Sequence, residues 1–472
     1  MAKAFLLASG VSAALIGVTA NSNASPIPVA SCTPAPPAAS ADRPRYRVTM
    51  TFDPTLGRVT GSFNIAFTPD QPIDRVIFRL WPNGGARDAS APRIALKSTS
   101  VAVAATPETR VTPILDSPTV VRLPVKVATG QVVNLSGDFV VDVPGERNDR
   151  ISVSRSGNRA FVAARLGSFI PVLAWEPGVG WNLTPPTRTG AEASMTAAAD
   201  WDVSVAIAGQ PALNSDLSIL ASGEQVQPGR WISAGQRDWA MSVGRFNEAT
   251  GSLVMSTVSL GPGRPNVKVI VGVAAPLTES ASVYRTRVIR AIRTLSNIYG
   301  DYPWPTYVLA ITPGLKGGIE FPSHVMQGPG STGRTTTHEV AHQWFYALVG
   351  NDQGRDPWID EGLATWAEAR AELTLAAFAA KPIPADGAGR AGSPMSYWDK
   401  HRSSYYRSVY VQTLQALNAL GDPDRVDVAL RCLIASKGNQ VVRPPDVLGA
   451  LTEQFPDAPA VMRRYGIVAN RP

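Results

Sequence analysis

The chain has few cysteines and few histidines, and it has no dense block of basic residues. With two cysteines in 472 residues, it is not a disulfide-rich scaffold, and the sequence leaves open whether Cys32 and Cys432 pair. The 44 Lys and Arg residues outnumber the 37 Asp and Glu residues, which gives a formal charge of +7. Because the basic residues are scattered along the chain, nucleic acid is not expected as a partner.

Long apolar sequence is also scarce, and the one extended run lies at residues 4–20. This run is short for a membrane span and small residues follow it, which predicts a signal peptide over residues 1–24 and an exported protein, secreted, periplasmic or in the cell envelope. Residues 25–44 are rich in Pro, Ala and Ser and are predicted to form a disordered linker. Within this linker, Val29-Ala30-Ser31-Cys32 resembles a bacterial lipid-attachment site, so a lipid anchor at Cys32 is an alternative.

The remaining composition is that of a globular protein, with 44% apolar and 17% charged residues. Residues 45–262 contain many short alternating runs separated by turn residues, which predicts an N-terminal antiparallel β domain, a saddle or a sandwich. The predicted strands are 46–52, 59–67, 75–80, 119–123, 131–135, 138–143 and 201–207.

After the Gly- and Pro-rich segment 261–265 the pattern changes, and residues 263–472 are predicted to form an α+β domain rich in helices. Gly350 and Gly421 stand where helix-ending residues are expected. The predicted elements are strands 267–273 and 307–311 and helices 278–299, 335–349, 360–379, 403–420, 424–436 and 445–454.

Two of the four histidines lie in one short motif, His338-Glu339-Val340-Ala341-His342. Histidines four residues apart on a helix share one face, so both imidazoles can reach the same metal ion. The glutamate after the first histidine points to the side where a water molecule would bind, which suits a general base. A chance match to this motif is expected in on the order of one chain in a hundred, so a third ligand is needed to specify the class.

Glu361 is the candidate for that third ligand. It follows His342 after an interval of eighteen residues, 343–360, which includes the turn-forming stretch 350–357. That turn allows a second helix to return beside the first and to bring its carboxylate to the two imidazoles. A structural alternative is a solvated carboxylate at a helix start, where the helix dipole favours negative charge.

These motifs, HEVAHQW followed by WIDEGLATWAE, resemble the gluzincin aminopeptidases of peptidase family M1, the group that contains aminopeptidase N and leukotriene hydrolase. The resemblance extends from about residue 45 to the end of the sequence. It implies a thermolysin-like catalytic domain after the β domain, in a short form without the large C-terminal helical domain. It also implies one Zn²⁺ per chain on His338, His342 and Glu361, with peptides as substrates.

The family's GxMEN motif, which binds the substrate's free amine and backbone, is matched by Gly317-Gly318-Ile319-Glu320-Phe321-Pro322. The resemblance therefore implies that Glu320 anchors the amine and that Gly317 and Gly318 face the peptide. Isoleucine and phenylalanine replace the Met and Asn of the motif. A surface charge at a strand edge is the structural alternative for Glu320.

The resemblance also implies a tyrosine that stabilises the oxyanion. Tyr406 stands fifteen residues before Gly421, the spacing that the family context gives, and Tyr405 and Tyr410 are close competitors. The family's second amine-binding residue, a glutamine in the β domain, has no clear counterpart before the Ser168–Leu173 segment. Glu368 is interpreted either as a carboxylate that orients a histidine or as a surface charge.

Together these features predict a zinc aminopeptidase in which Glu339 is the general base and Tyr406 helps to hold the oxyanion. Two alternatives stay open. One is a zinc endopeptidase of relaxed specificity with the same metal centre. The other is a non-catalytic metal-binding interaction protein, although a purely structural metal site would not need the glutamate of the motif.

Overall fold

The structure is a computed structural model that describes residues 32–84, 93–145, 150–157, 160–187, 196–209 and 216–470. The predicted signal peptide, residues 1–24, and the first part of the predicted linker lie outside the described residues. Across the described ranges, no helix combines the length and the apolar character that crossing a membrane would require.

The N-terminal half is built from strands. Its largest sheet has eight strands in the order β16-β17-β14-β1-β2-β8-β4-β5, and four-stranded sheets with the orders β15-β18-β10-β9 and β11-β3-β7-β6 lie beside it. In chain order the strands are β1 (Arg45–Asp53), β2 (Arg58–Phe67), β3 (Ile73–Arg79), β4 (Ile94–Val103), β5 (Thr109–Arg110), β6 (Ile114–Ser117), β7 (Val120–Val127), β8 (Val133–Asp142), β9 (Ile151–Arg155), β10 (Phe161–Leu166), β11 (Val172–Leu173), β12 (Trp175–Glu176), β13 (Gly180–Trp181), β14 (Ala199–Ile207), β15 (Ser218–Ala221), β16 (Glu224–Gln227), β17 (Arg230–Gln236) and β18 (Met241–Gly244).

The predicted β domain is confirmed, with two differences in detail. The alternation of β1 is visible as buried Tyr46, Val48, Met50 and Phe52 on its core face. However, β1 pairs with β14 in parallel, so the large sheet is not purely antiparallel. The two runs predicted at 131–135 and 138–143 form the single strand β8, because Gly137 continues the pairing with β2.

The second half combines one mixed sheet with helices. The sheet has five strands in the order β19-β20-β21-β23-β22, so β22 is an edge strand and β19, which precedes residue 263, pairs within this sheet. The strands are β19 (Leu253–Ser259), β20 (Asn266–Val273), β21 (Thr306–Ile311), β22 (Gly318–Phe321), β23 (His324–Gln327), β24 (Gly350–Asn351) and β25 (Val441–Val442). The helices are α1 (Ala281–Tyr299), α2 (Gly333–Ala341), α3 (Leu363–Ala371), α4 (Leu375–Ala379), α5 (Met395–Trp398), α6 (Arg402–Tyr406), α7 (Gln412–Asn418), α8 (Pro423–Lys437), α9 (Pro444–Gln454) and α10 (Ala458–Arg463).

The helix predicted at 335–349 is wrong beyond residue 341. α2 ends there, and the chain then turns through Trp344–Val349, all of whose residues are buried. Tyr346 adopts a φ of 115°, which an L residue rarely does, and Gly350 lies in β24 instead of ending a helix. Burial of this apolar run in the core outweighs its helical propensity, because tertiary packing contributes more than propensity does.

One π-helical turn lies at the start of the predicted helix 360–379, and another interrupts the predicted helix 403–420. Residues Trp358–Gly362 form one turn before α3, and residues Arg407–Val411 form another between α6 and α7. A π-turn adds a residue to the helical repeat and therefore rotates the side chains that follow it. Such turns are frequent at functional sites, and both of these lie near the histidine pair.

The two halves of the molecule meet at the edge of the mixed sheet. Ser323, between β22 and β23, accepts a hydrogen bond from the Gly223 backbone at 2.7 Å and one from the Gln236 amide at 2.8 Å. Gly167 packs so closely on Phe321 that an added Cβ would lie 1.9 Å from the ring. The β domain therefore holds the strand that carries Glu320.

A disulfide between Cys32 and Cys432 joins the start of the described chain to α8. The Arg431 side chain also donates a hydrogen bond to the Cys32 carbonyl at 2.8 Å. A lipid attached to Cys32 would use the same sulfur, so the disulfide and the lipid anchor exclude one another.

Candidate metal centre

The two motif histidines project from α2. Thr332 caps this helix, since its side chain accepts a hydrogen bond from the Thr335 backbone at 3.2 Å. Four positions apart on the helix, His338 and His342 turn their Nε2 atoms towards each other at 3.1 Å. The helix ends immediately afterwards, so both side chains sit in its last turn.

Glu361 reaches the same point from the π-turn that precedes α3. Its Oε2 lies 3.1 Å from His338 Nε2 and 3.3 Å from His342 Nε2. A tetrahedral zinc ion with ligands at 2.0–2.1 Å requires ligand–ligand edges of about 3.3 Å. The three atoms therefore form one face of such a tetrahedron, and this donor set fits zinc with a fourth position left open.

The outer nitrogens of both histidines have partners that fix the rings. His342 Nδ1 lies 3.1 Å from the Phe345 carbonyl, to which it donates, and His338 Nδ1 lies 3.4 Å from Glu368 Oε2. Arg334 donates in turn to the other oxygen of Glu368 at 2.7 Å. Donation from Nδ1 leaves the Nε2 lone pairs free for a metal, and Glu368 is buried beside His338 instead of lying at the surface.

The electrostatics of the three ligands follow from their mutual contact. Burial opposes ionisation of Glu361, but the neighbouring His342 and His338 imidazoles hold the pKa of that carboxyl well below its usual range. Burial likewise disfavours the charged form of His342, and the charge of Glu361 outweighs it and raises the pKa of His342 to about 9. A divalent cation bound here would displace these protons, because protons and metal are held by the same lone pairs.

Glu339 lies beside this centre and is itself buried. Burial raises the pKa of Glu339 to about 8, the charges of Glu320 and Glu361 act in the same direction, and the two imidazoles oppose them. Its Oε2 has no hydrogen-bond partner among the described residues. A carboxylate with a pKa near neutrality and a free oxygen suits proton transfer.

Gly318 of the upstream motif leaves room beside the Glu339 carboxylate. A Cβ at position 318 would lie 2.4 Å from the Glu339 carboxyl carbon, so no side chain fits there without displacing that group. Gly317 has a φ of 75°, in the left-handed region that favours glycine. The backbone of the edge strand β22 can therefore approach an extended peptide closely, as in strand addition.

Glu320 projects from β22 towards the histidines. Ligand atoms of Glu320, Glu339 and His342 all lie within 4.8 Å of one another. The Gln353 amide donates a hydrogen bond to Glu320 Oε1 at 3.2 Å. The side chain is buried and therefore is not a surface charge at a strand edge.

The structure separates the three candidate tyrosines. The Tyr410 ring stacks on His338 with centroids 5.7 Å apart and planes 15° apart. Tyr406 is 44% exposed and packs against Tyr410 with its centroid 5.0 Å away, and Tyr405 is buried between Trp398 and Tyr410. The spacing from Gly421 selected Tyr406, but the π-turn Arg407–Val411 rotates the helix and brings Tyr410 to the histidine.

Sequence reasoning missed Gln353, Asp360 and Arg334. Asp360 is fully buried next to Glu361, and burial together with the charge of Glu361 raises the pKa of Asp360 to about 7. Because Asp360 directly precedes the third ligand, its place at the centre could have been predicted from the sequence. No sequence pattern points to Gln353 or Arg334, because they contact residues that are distant in sequence.

The other two histidines lie away from the centre. His324 is buried in β23 with Nε2 3.0 Å from Ser242 Oγ, and burial lowers its pKa to about 3. His401 lies 3.2 Å from an oxygen of Asp386 near the surface. Neither contacts the three candidate ligands.

Aminopeptidases are among the known proteins with a similar sequence. No family model matches the chain. The chain is 24% identical to aminopeptidase B of Mus musculus over 212 residues, 38% of this chain and 32% of that protein. It is 30% identical to leucine aminopeptidase 2 of Coccidioides immitis over 94 residues, 18% of this chain and 15% of that protein. The matched segments thus span about a third or less of the length of these curated relatives.

Solved structures resemble the chain over almost its whole length. The M1 zinc metallopeptidase from Deinococcus radiodurans matches with a TM-score of 0.62 and 18% identity, over 93% of this chain and 96% of that chain. A variant of that protein bound to a Tyr-Ser-Ala substrate matches with a TM-score of 0.61, over 91% and 95%. The chain therefore has the fold of the M1 zinc metallopeptidases. Within that class its sequence similarity is to aminopeptidases.

Proposed function

We propose that the chain is a zinc-dependent aminopeptidase with one zinc ion on His338, His342 and Glu361. The observation that carries this proposal is the triangle of donor atoms, with edges of 3.1, 3.1 and 3.3 Å, beside a buried carboxylate that has a free oxygen. The aminopeptidases with similar sequences support the substrate class. A non-catalytic metal site would have no use for the space that Gly318 leaves around Glu339.

In the proposed reaction each residue near the centre has one task. Bound zinc supplies Lewis acidity, which polarises the scissile carbonyl and lowers the pKa of water. Glu339 removes the proton from the attacking water and passes it to the leaving amine. Burial raises the pKa of Glu339 to about 8, which is close enough to neutrality for this carboxyl both to accept and to return a proton.

Glu320 and β22 would select peptides with a free amino terminus. The buried Glu320 carboxylate lies close to His342, so it can hold an ammonium group about one residue from the scissile carbonyl. The backbone of β22 can pair with the same peptide. The relaxed-specificity endopeptidase remains the second candidate, because an open strand edge also accepts longer peptides.

Acetylation of the substrate amine tests this choice. We expect kcat/KM for a tripeptide to fall by roughly 10²-fold or more when its amino terminus is acetylated, because a buried carboxylate would lose its charged partner. The comparison uses the free and acetylated forms of one peptide, with chelator-treated protein as the control for metal dependence. Equal rates on both forms would favour the endopeptidase.

Phenylalanine substitutions should identify the tyrosine that holds the oxyanion. We propose Tyr410, because its ring lies against His338 whereas the ring of Tyr406 is half exposed. Tyr410→Phe should lower kcat by roughly 10²-fold, the usual cost of one lost donor to an oxyanion. Tyr406→Phe is the matched control and should change kcat by less than about threefold. The reverse order of effects would restore Tyr406 to the role.

We also propose that the protein is exported. The disulfide between Cys32 and Cys432 supports this, because disulfides persist in oxidising compartments. Amino-terminal sequencing of the mature protein tests the proposal. A start near residue 21 or 25 is expected after signal-peptide cleavage, a start at Cys32 with an attached lipid would support the anchor, and an uncleaved start would contradict export by a cleaved signal.

A further inference from the structure

Gln353 connects two buried carboxylates that belong to different parts of the centre. Its amide nitrogen donates to Glu320 Oε1 at 3.2 Å and to Asp360 Oδ2 at 2.7 Å. The Gln353 side chain is fully buried. Each hydrogen of one amide group is therefore directed to a different carboxylate, one on β22 and one on the π-turn that bears Glu361.

Asp360 is fixed from its other side as well. Asn351 donates to Asp360 Oδ1 at 2.8 Å and to the Asp356 carbonyl at 3.0 Å. Asn351, at the end of β24, and Gln353, in the loop that follows, both lie between α2 and the π-turn, and Asp360 directly precedes Glu361. A continuous line of hydrogen bonds therefore runs from the turn that carries a metal ligand, through Gln353, to Glu320.

We propose that Gln353 is a positioning residue that fixes the amine anchor Glu320 relative to the metal centre and so restricts cleavage to the first peptide bond. This inference rests on the proposed aminopeptidase function. Removal of one residue at a time requires a constant distance between the carboxylate that holds the ammonium group and the group that attacks the carbonyl. A displacement of about 1 Å at such a site can cost 10²-fold in rate.

The chemistry of an amide suits this task better than that of a cation. Without a donor between them, Glu320 and Asp360 would repel each other and Glu320 could turn away from the cleft. An arginine or lysine at position 353 would hold both carboxylates, but it would also neutralise the charge that the substrate's ammonium group needs. The neutral amide orients Glu320 and leaves its negative charge available.

The test compares Gln353→Met with Gln415→Met in the full chain loaded with zinc. Methionine keeps the length and approximate volume of glutamine and removes the donor. Gln415 is the matched control, because its amide also bridges two acceptors, the carbonyls of Ala379 and Lys381, away from Glu320. The readout is the ratio of kcat/KM for a free tripeptide to kcat/KM for its acetylated form, together with the products released.

We expect Gln353→Met to lower this ratio at least tenfold and to release some dipeptide from the amino terminus, while Gln415→Met leaves both unchanged. In a Glu320→Ala background, Gln353→Met should have no further effect on the ratio, because the two residues act as a unit. If Gln353 had only a structural role, its substitution would lower kcat/KM for the free and the acetylated tripeptide by the same factor. An unchanged ratio with zinc retained would overturn the inference.

Two further outcomes have a defined meaning. If Gln353→Met does not fold, Gln353→Asn keeps the amide but is too short to span both carboxylates, and the same loss of ratio is expected; an unchanged ratio in that variant would overturn the inference. If the unmodified protein itself does not prefer free amino termini, the proposed aminopeptidase function fails, and the role of Gln353 falls with it. If the unmodified protein prefers free amino termini and Gln353→Met keeps that preference undiminished, only the role of Gln353 fails.

Discussion

Glu339→Gln should nearly abolish peptide hydrolysis and leave the metal in place. Glutamine has almost the same shape as glutamate but cannot accept the proton of the attacking water. General-base catalysis contributes about 10² to 10⁴ in rate, so kcat should fall by a factor in that range. Zinc should stay bound, because Glu339 lies outside the triangle formed by His338, His342 and Glu361.

The measurement pairs turnover of an aminoacyl substrate with metal analysis of the same preparation. Glu453→Gln is a suitable control, since Glu453 is exposed on α9 and the same chemical change there should alter neither quantity. Substantial activity in Glu339→Gln with zinc bound would show that another group takes the proton. Loss of zinc in this variant would instead place Glu339 among the ligands.

His338→Ala should remove the metal and, with it, the activity. Only His342 and Glu361 would remain, and two protein ligands do not hold a catalytic zinc ion, which ordinarily needs three. The substitution also leaves Glu368 without the imidazole that lies 3.4 Å from it. We expect the zinc content to fall from one ion per chain to near zero and hydrolysis to fall to background.

Elemental analysis after dialysis measures this change. His401→Ala serves as the matched control, because His401 also lies close to a carboxylate, Asp386, but away from the centre. That variant should keep both zinc and activity. One zinc ion per chain in His338→Ala, with activity intact, would show that the three donor atoms do not form the metal site.

Much of the fold could be predicted from the sequence where the pattern is local. The alternation in β1 and β2 places apolar side chains on one face of a sheet whatever its neighbours are. The helix predicted at 278–299 is α1, Ala281–Tyr299, because its apolar residues recur at helical spacing over five turns. Helix ends and interruptions could not be predicted, since the burial of Trp344–Val349 depends on residues distant in sequence.

By itself, the sequence determined which residues could meet at a metal. The spacing of His338 and His342 places both on one face of a helix, and the interval to Glu361 allows a return, so local geometry and chain length carry that prediction. Only the tertiary structure decided the surroundings of that centre. A π-turn brings Tyr410 to His338, and a loop folds Gln353 between Glu320 and Asp360. Such contacts depend on how separate elements pack, which periodicity does not encode.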